Sequence, residues 1–301
     1  MYTLADRWSG ENFFDGWTFF EDADPTRGLV NFVSQSTAAA NGLAYVEPDG
    51  KVVMKVDSSS NLPLGAHRNS VRITTTKAYN HGLFVLDATK FPYGCAVWPA
   101  FWMFGPDWPW SGEMDIYETI NLAPSTQYTA HTSAGCMIDT NTSSLAGVSL
   151  TANLNYQVPS SNAYAGGTPA SIGGGSYAGM LTAQGGAVLV MQWEADGIRI
   201  WNFPRTHLPK DLSLGLPTPE LWPNTFLKAA WDSSTACNVD HYFRNMSLVF
   251  DITLCGDWAG QPNVYTSSGC SGSCVTQVMK GSNFINATWE LNYVAVYARA
   301  Y

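Results

Sequence analysis

Charge is scarce in this 301-residue chain: Asp, Glu, Lys and Arg together make up 13% of it, about half the usual share. The 15 basic residues are outnumbered by 24 acidic ones, leaving a formal net charge of −9 with no basic run. That balance excludes a nucleic-acid backbone or an anionic membrane surface as partner, and points to a neutral one. No apolar run approaches the ~18 residues needed to span a bilayer. The first thirty residues carry Asp6, Arg7, Glu11, Asp15, Glu21, Asp22, Asp24 and Arg27, which excludes a signal-peptide hydrophobic core. Met1 is accordingly read as a methionine added to a mature N-terminus. Helical periodicity is also short, never sustained beyond two or three turns, and Leu, Ala and Lys do not dominate as in a helical bundle. Histidine is rare, with 5 in all. Cys270-x-x-x-Cys274 has no partner pair at zinc-site spacing. There is no calcium loop at EF-hand spacing, no G-x-S-x-G and no cysteine-protease signature. No metal or cofactor is demanded; a structural calcium is compatible but not indicated.

What remains is apolar, aromatic and β-like. Hydrophobic residues reach 46% and aromatics 13%, with 12 Trp, 14 Tyr and 14 Phe. Short β-branched or apolar runs bounded by turn residues occur at Val52–Val56, Ser70–Thr74, Gly82–Leu86, Ala187–Trp193, Ile198–Trp201, Ser247–Leu254 and Trp289–Tyr297. Asp196-Gly197 between two of them predicts a hairpin. In the last run Leu291, Tyr293, Ala295 and Tyr297 alternate with Asn292, Val294 and Val296, so both faces are expected to be covered. Many strands with long Gly/Ser/Asn/Pro loops predict an all-β fold, a sandwich of two antiparallel sheets of jelly-roll type. Pro159–Gly186, with Gly173-Gly-Gly175, reads as a long surface loop because no composition shift follows it. Residues 1–301 are therefore expected to form one domain without internal repeats.

Six cysteines (Cys95, Cys136, Cys237, Cys255, Cys270 and Cys274) fit an oxidising compartment and allow fifteen pairings, among which spacing does not choose. Sequons at Asn141, Asn245 and Asn286 fit a secreted, extracellular glycoprotein.

The segment richest in chemistry is Trp98-Pro-Ala-Phe-Trp-Met-Phe-Gly-Pro-Asp-Trp-Pro-Trp-Ser-Gly-Glu-Met-Asp-Ile-Tyr-Glu118. Four tryptophans precede Glu113, Asp115 and Glu118, a spacing expected by chance in roughly one chain in a hundred of this composition. On a strand, Glu113 and Asp115 share a face while Met114 and Ile116 point the other way. Glu118 falls out of phase unless a β-bulge near Ile116-Tyr117 absorbs one residue. With that bulge, three carboxylates line one face. A nucleophilic carboxylate and a protonated carboxyl are what retaining glycoside hydrolysis requires. Asp115 between them can split their titrations, and tryptophans offer flat faces to sugar rings. A solvated acidic triplet is the bland alternative, weakened here by the flanking tryptophans and the apolar Met114 and Ile116.

Gly112-Glu-Met-Asp-Ile-Tyr-Glu118, with Trp98-Pro-Ala-Phe-Trp102 upstream, closely resembles glycoside hydrolase family 16 in its bulged, laminarinase-like branch. The resemblance runs over nearly the whole chain to fungal endo-1,3(4)-β-glucanases, through Phe13-Phe-Asp-Gly-Trp17, Asp24-Pro-Thr-Arg-Gly28, Arg68-Asn-Ser-Val-Arg-Ile73, His131-Thr132, Trp201-Asn-Phe-Pro-Arg205 and Cys255-Gly-Asp-Trp-Ala-Gly-Gln261. It implies a jelly roll with an open cleft across a concave sheet, and a monomeric endo-β-glucanase acting on β-1,3 and mixed-linkage β-glucan without a cofactor. It implies Glu113 as nucleophile, Glu118 as acid/base and Asp115 as assisting carboxylate. Trp102 and Trp108 are implied to stack on sugars, Arg68 and His131 to donate hydrogen bonds in the cleft, and Trp258 to lie near the cleaved unit. Trp98 and Trp110 complete the candidate substrate-binding set. A transglycosylase would share the intermediate, and a glucan-binding lectin would share the sandwich; the retention of both glutamates favours an enzyme.

Overall fold

The structure, a computed structural model, describes residues 1–138, 148–149, 153–155, 157, 163–166 and 176–300. Two eight-stranded antiparallel sheets carry the architecture. Across the front sheet the order is Val148–Ser149, Ala163–Gly166, Thr126–His131, Glu113–Glu118, Val97–Phe104, Ser247–Leu254, Arg72–Thr75 and Trp17–Phe19. Across the back sheet it is Leu227–Asp232, Gly197–Pro204, Ala187–Glu194, Gly82–Lys90, Thr288–Arg299, Val52–Lys55 and Ala44–Val46, with Tyr2–Trp8 also paired to Thr288–Arg299. The chain crosses repeatedly between sheets, so neighbours in space are distant in sequence, as in a jelly roll.

Strand alternation explains the layers. In Val97–Phe104, Val97, Phe101 and Met103 are fully buried between the sheets, whereas Trp98, Trp102 and Phe104 are half-buried on the opposite face. Facing them from the back sheet are Phe84, Leu86, Leu189, Met191 and Trp289, all in the same apolar cluster. Each such side chain contributes about 1.5–3 kcal/mol on burial. The back sheet's outer face holds a second cluster, with Leu83, Val85, Val190, Trp201, Phe203 and Tyr297 under Leu212 and Trp222. The expectation that both faces of the last strand are covered holds: Val294 and Val296 face the main core, Ala295 and Tyr297 the second cluster.

The hairpin closes with Glu194 opposite Gly197, so Ala195 and Asp196 form its two-residue turn. The run expected as one strand over Ser70–Thr74 is in fact two. Arg68–Ser70 pairs in parallel with Val30–Phe32, and Arg72–Thr75 joins the front sheet. Of the stretch expected as a surface loop, Pro159–Gly186, the described part contains the strand Ala163–Gly166 and the helix Tyr177–Ala183, capped by Ser176. The remainder, including Gly173–Gly175, lies outside the described residues, as does Asn141. Asn245 and Asn286 are exposed. Three disulfides join Cys95 to Cys270, Cys136 to Cys237 and Cys255 to Cys274.

Candidate active site

The acidic strand begins at a position only glycine fits. Gly112 has φ +81°, and a Cβ there would lie 2.4 Å from Phe243 Cδ1 and 2.6 Å from the Tyr242 carbonyl oxygen. From it the strand Glu113–Glu118 runs between Val97–Phe104 and Thr126–His131. Asp115 pairs with Trp102, but Tyr117 pairs with Phe101 and Glu118 with Ala100. On the other edge Asp115 opposes Thr129 and Glu118 opposes Gln127, leaving Ile116 and Tyr117 together across from Tyr128. That two-against-one register is the expected β-bulge. Met114, Ile116 and Tyr117 are wholly buried in the main core, while Glu113 and Glu118 are partly exposed on the outer face.

Each glutamate is held by its own tryptophan. Trp98 Nε1 donates to Glu118 Oε1 at 2.8 Å, and Trp108 Nε1 donates to Glu113 Oε2 at 2.5 Å. Trp108 sits in a loop braced by Ser111, whose hydroxyl accepts from Asp107 N at 2.7 Å. Trp98 meets Trp258 edge to face at 5.4 Å, and the short helix Gly256–Ala259 carrying Trp258 is tied at Cys255 to Cys274. Trp102 is half-buried beside Phe104; Trp108 and Trp110 are exposed by 45% and 61%, as residues open to a ligand must be. His131 stands opposite Glu113, with Nε2 3.8 Å from Glu113 Oε1 and 3.7 Å from Asp115 Oδ2.

Arg68 is corrected. Its side chain is fully buried, and its guanidinium donates to the carbonyls of Val278, Asp57 and Ser60, which keeps it out of the cleft. The arginine at the site is Arg72, four residues on and missed from sequence. It lies across from Asp251 on the front sheet, with its guanidinium 4.5 Å over Phe20 and 5.1 Å over Trp102. Asp251, the lone charged residue of the strand Ser247–Leu254, was missed as well.

Burial dominates the electrostatics. It pushes Glu113 and Glu118 each up to about 7. What separates them is their neighbours. Besides the indole bonds, which favour ionisation of both, Arg72 favours the charged form of Glu113, whereas the charge on Glu113 disfavours ionisation of Glu118. Glu113 is therefore the first to ionise and Glu118 keeps its proton longer. Asp115 is held well above the usual carboxylate range by burial and by both glutamates. Desolvation lowers His131 to about 4, so its imidazole is neutral at mildly acid pH.

Glu113, Asp115 and His131 could each offer one ligand atom, all within 4.8 Å of one another, the one such group among the described residues. One imidazole and two carboxylate oxygens do not fit calcium, which takes 6–8 oxygens.

The family model described as "XgeA-like, catalytic GH16 domain" matches residues 17–297. The chain belongs to glycoside hydrolase family 16. A probable glycosidase of Schizosaccharomyces pombe is 39% identical to this family 16 chain over 298 residues, covering 98% of it and 69% of the yeast protein. The endo-1,3(4)-β-glucanase XgeA of Emericella nidulans is 34% identical, covering 98% of this chain and 47% of that protein, so the chain spans about half of that relative's length. Among solved structures, laminarinase 16A from Phanerochaete chrysosporium, with 6-O-glucosyl-laminaritriose in donor and acceptor sites, superposes at TM-score 0.90 with 33% identity over 99% of both chains. An elongating family 16 β-1,3-glucosyltransferase superposes equally well, at TM-score 0.90 with 34% identity over 99% of this chain and all of that one (100%).

Proposed function

We propose that this chain is an endo-β-glucanase that cleaves internal linkages of β-1,3 and mixed β-1,3-1,4 glucans with retention of configuration. The observation that carries the reading is the bulge, which returns Glu118 to the face of Glu113 and Asp115 while a separate indole holds each glutamate. Glu118, which keeps its proton longer, donates it to the departing glycosidic oxygen. Glu113, ionised first beside Arg72, attacks the anomeric carbon. Glu118 then takes a proton from the water that releases the glycosyl-enzyme. Asp115, whose own ionisation burial and both glutamates oppose, sits between them, and neutral His131 stands 3.8 Å from Glu113 and 3.7 Å from Asp115. Trp102, Trp108 and Trp258 are read as sugar-stacking faces, and Trp110 as an outer contact. The reaction draws on these side chains alone. Three disulfides and the exposed sequons at Asn245 and Asn286 support a secreted protein; we read it as a single catalytic domain acting as a monomer.

The likeness to an elongating β-1,3-glucosyltransferase favours a second reading, in which a sugar rather than water resolves the same intermediate. One experiment addresses both: product profiles on laminarin, lichenan, barley glucan and carboxymethylcellulose. Shorter oligosaccharides from the first three support hydrolysis. Products longer than the substrate at high acceptor concentration support transfer, and no turnover of any glucan contradicts the reading.

A further inference from the structure

Below the proposed acid lies a buried acid that the reaction itself does not use. Asp251 is only 8% exposed, and its Oδ1 has no hydrogen-bond partner. It pairs with Ala100 on one side and Arg72 on the other, and Ala100 in turn pairs with Glu118. Glu118, Ala100, Asp251 and Arg72 therefore form one cross-strand row, which places Glu118 and Asp251 about 10 Å apart on the same side. The residue between them in the row is Ala100, whose side chain is a single methyl group. Their mutual repulsion is largest where solvent is excluded.

We propose that Asp251 is a positioning residue that keeps Glu118 in its acid form, acting across Ala100 rather than by touching substrate. The inference rests on the reading of Glu118 as the general acid. Burial raises Asp251 to about 7, with Arg72 opposing and Asp24 and Glu118 reinforcing. Asp24 is itself committed to Thr26, Gly28 and Thr253. Among the described residues, Glu113 and Asp115 act electrostatically with Glu118 from its own strand, while the residues paired with it on the two flanking strands are the uncharged Gln127 and Ala100. Among the described residues, Asp251 is the acid that shares the cross-strand row of Glu118. It also shares Arg72 with Glu113: a charge on Asp251 draws on the cation that favours ionised Glu113.

The test is Asp251→Asn, which keeps the shape and removes the charge. The expected result is an acid shift of both limbs of the kcat/KM profile by about half to one pH unit, with turnover at the optimum within a few-fold of the parent. An unchanged profile, or an unchanged profile with a raised KM, overturns the inference. Carbon-13 carboxyl NMR of Glu118, assigned by the resonance lost in Glu118→Gln, reads the same shift without turnover. A parent protein inert on every glucan sinks the functional reading alone, while an unshifted Glu118 titration in Asp251→Asn sinks this inference alone.

Discussion

Trp98 donates its indole N–H to Glu118 at 2.8 Å, and that bond favours the ionised glutamate against the burial that opposes it. Trp98→Phe keeps the ring and removes the donor. The expected outcome is a higher-pH alkaline limb of kcat/KM and a loss of about tenfold in kcat, about 1.4 kcal/mol of barrier. A profile that does not move shows that the bond leaves Glu118 untuned.

Trp108 tests the other glutamate and separates stacking from core packing. Because Trp108 is 45% exposed, Trp108→Ala is expected to leave the melting temperature nearly unchanged. It is expected to weaken glucan binding by about 1–3 kcal/mol, on the scale of aromatic stacking on a ring. A core tryptophan such as Trp289, wholly buried, costs about 3–5 kcal/mol of stability on the same truncation. A sharply lowered melting temperature with unchanged KM contradicts the stacking role.

Charge on Glu118 opposes folding. Its folded pKa near 7 lies above its ordinary value of 4.5, so the folded protein binds that proton more tightly. Stability falls as pH rises through that interval and is unaffected below it. Glu118→Gln preserves an acceptor for Trp98 and removes the charge. It is expected to be more stable than the parent by about 1–3 kcal/mol at pH 8 and equal to it at pH 4, as measured by denaturant melts. His131 has the opposite sign. Its folded pKa of about 4 lies below the ordinary 6.5, so its contribution is present above pH 6.5 and is lost as pH falls toward 4.

The bulge is testable by deletion. Tyr117 is a poor choice, because its ring packs 5.0 Å from Phe91 and 5.5 Å from Trp289 with no exposure. Deleting Ile116 restores regular alternation and leaves Tyr117 in the core. Circular dichroism is expected to show a folded, less stable protein, and laminarin hydrolysis to drop by about 10²-fold as the carboxylates move by an ångström or more. Parent-level activity shows that the bulge is not needed to align the site.

The acid strand was legible in the sequence because alternation is local: Met114 and Ile116 against Glu113 and Asp115 define a face, and Glu118 out of phase demands a bulge. Arg68 was placed in the cleft by the family resemblance, which carries no register. The chain changes partners at Val71, and only non-local pairing shows that Arg68 caps carbonyls while Arg72 joins the site. Asp251 was visible as a lone acid in Ser247–Leu254, yet its link to Glu118 runs through the register of three strands, which no spacing within one strand encodes. Disulfide pairing was hidden likewise, since Cys95 and Cys270 are 175 residues apart.

The roles of the two glutamates are the centre of the account, and the anomer of an azide adduct reads them most directly. Both Glu113→Ala and Glu118→Ala are expected to lose several orders of magnitude on glucan. Each is then given azide and a β-glucosyl donor whose leaving group needs no proton. In Glu118→Ala, Glu113 still forms the glycosyl-enzyme and azide opens it from the other face, so the predicted product is the β-glycosyl azide. In Glu113→Ala, azide takes the vacant place and displaces the leaving group once, so the predicted product is the α-glycosyl azide. The reverse pairing of variant and anomer contradicts the assignment of nucleophile and acid.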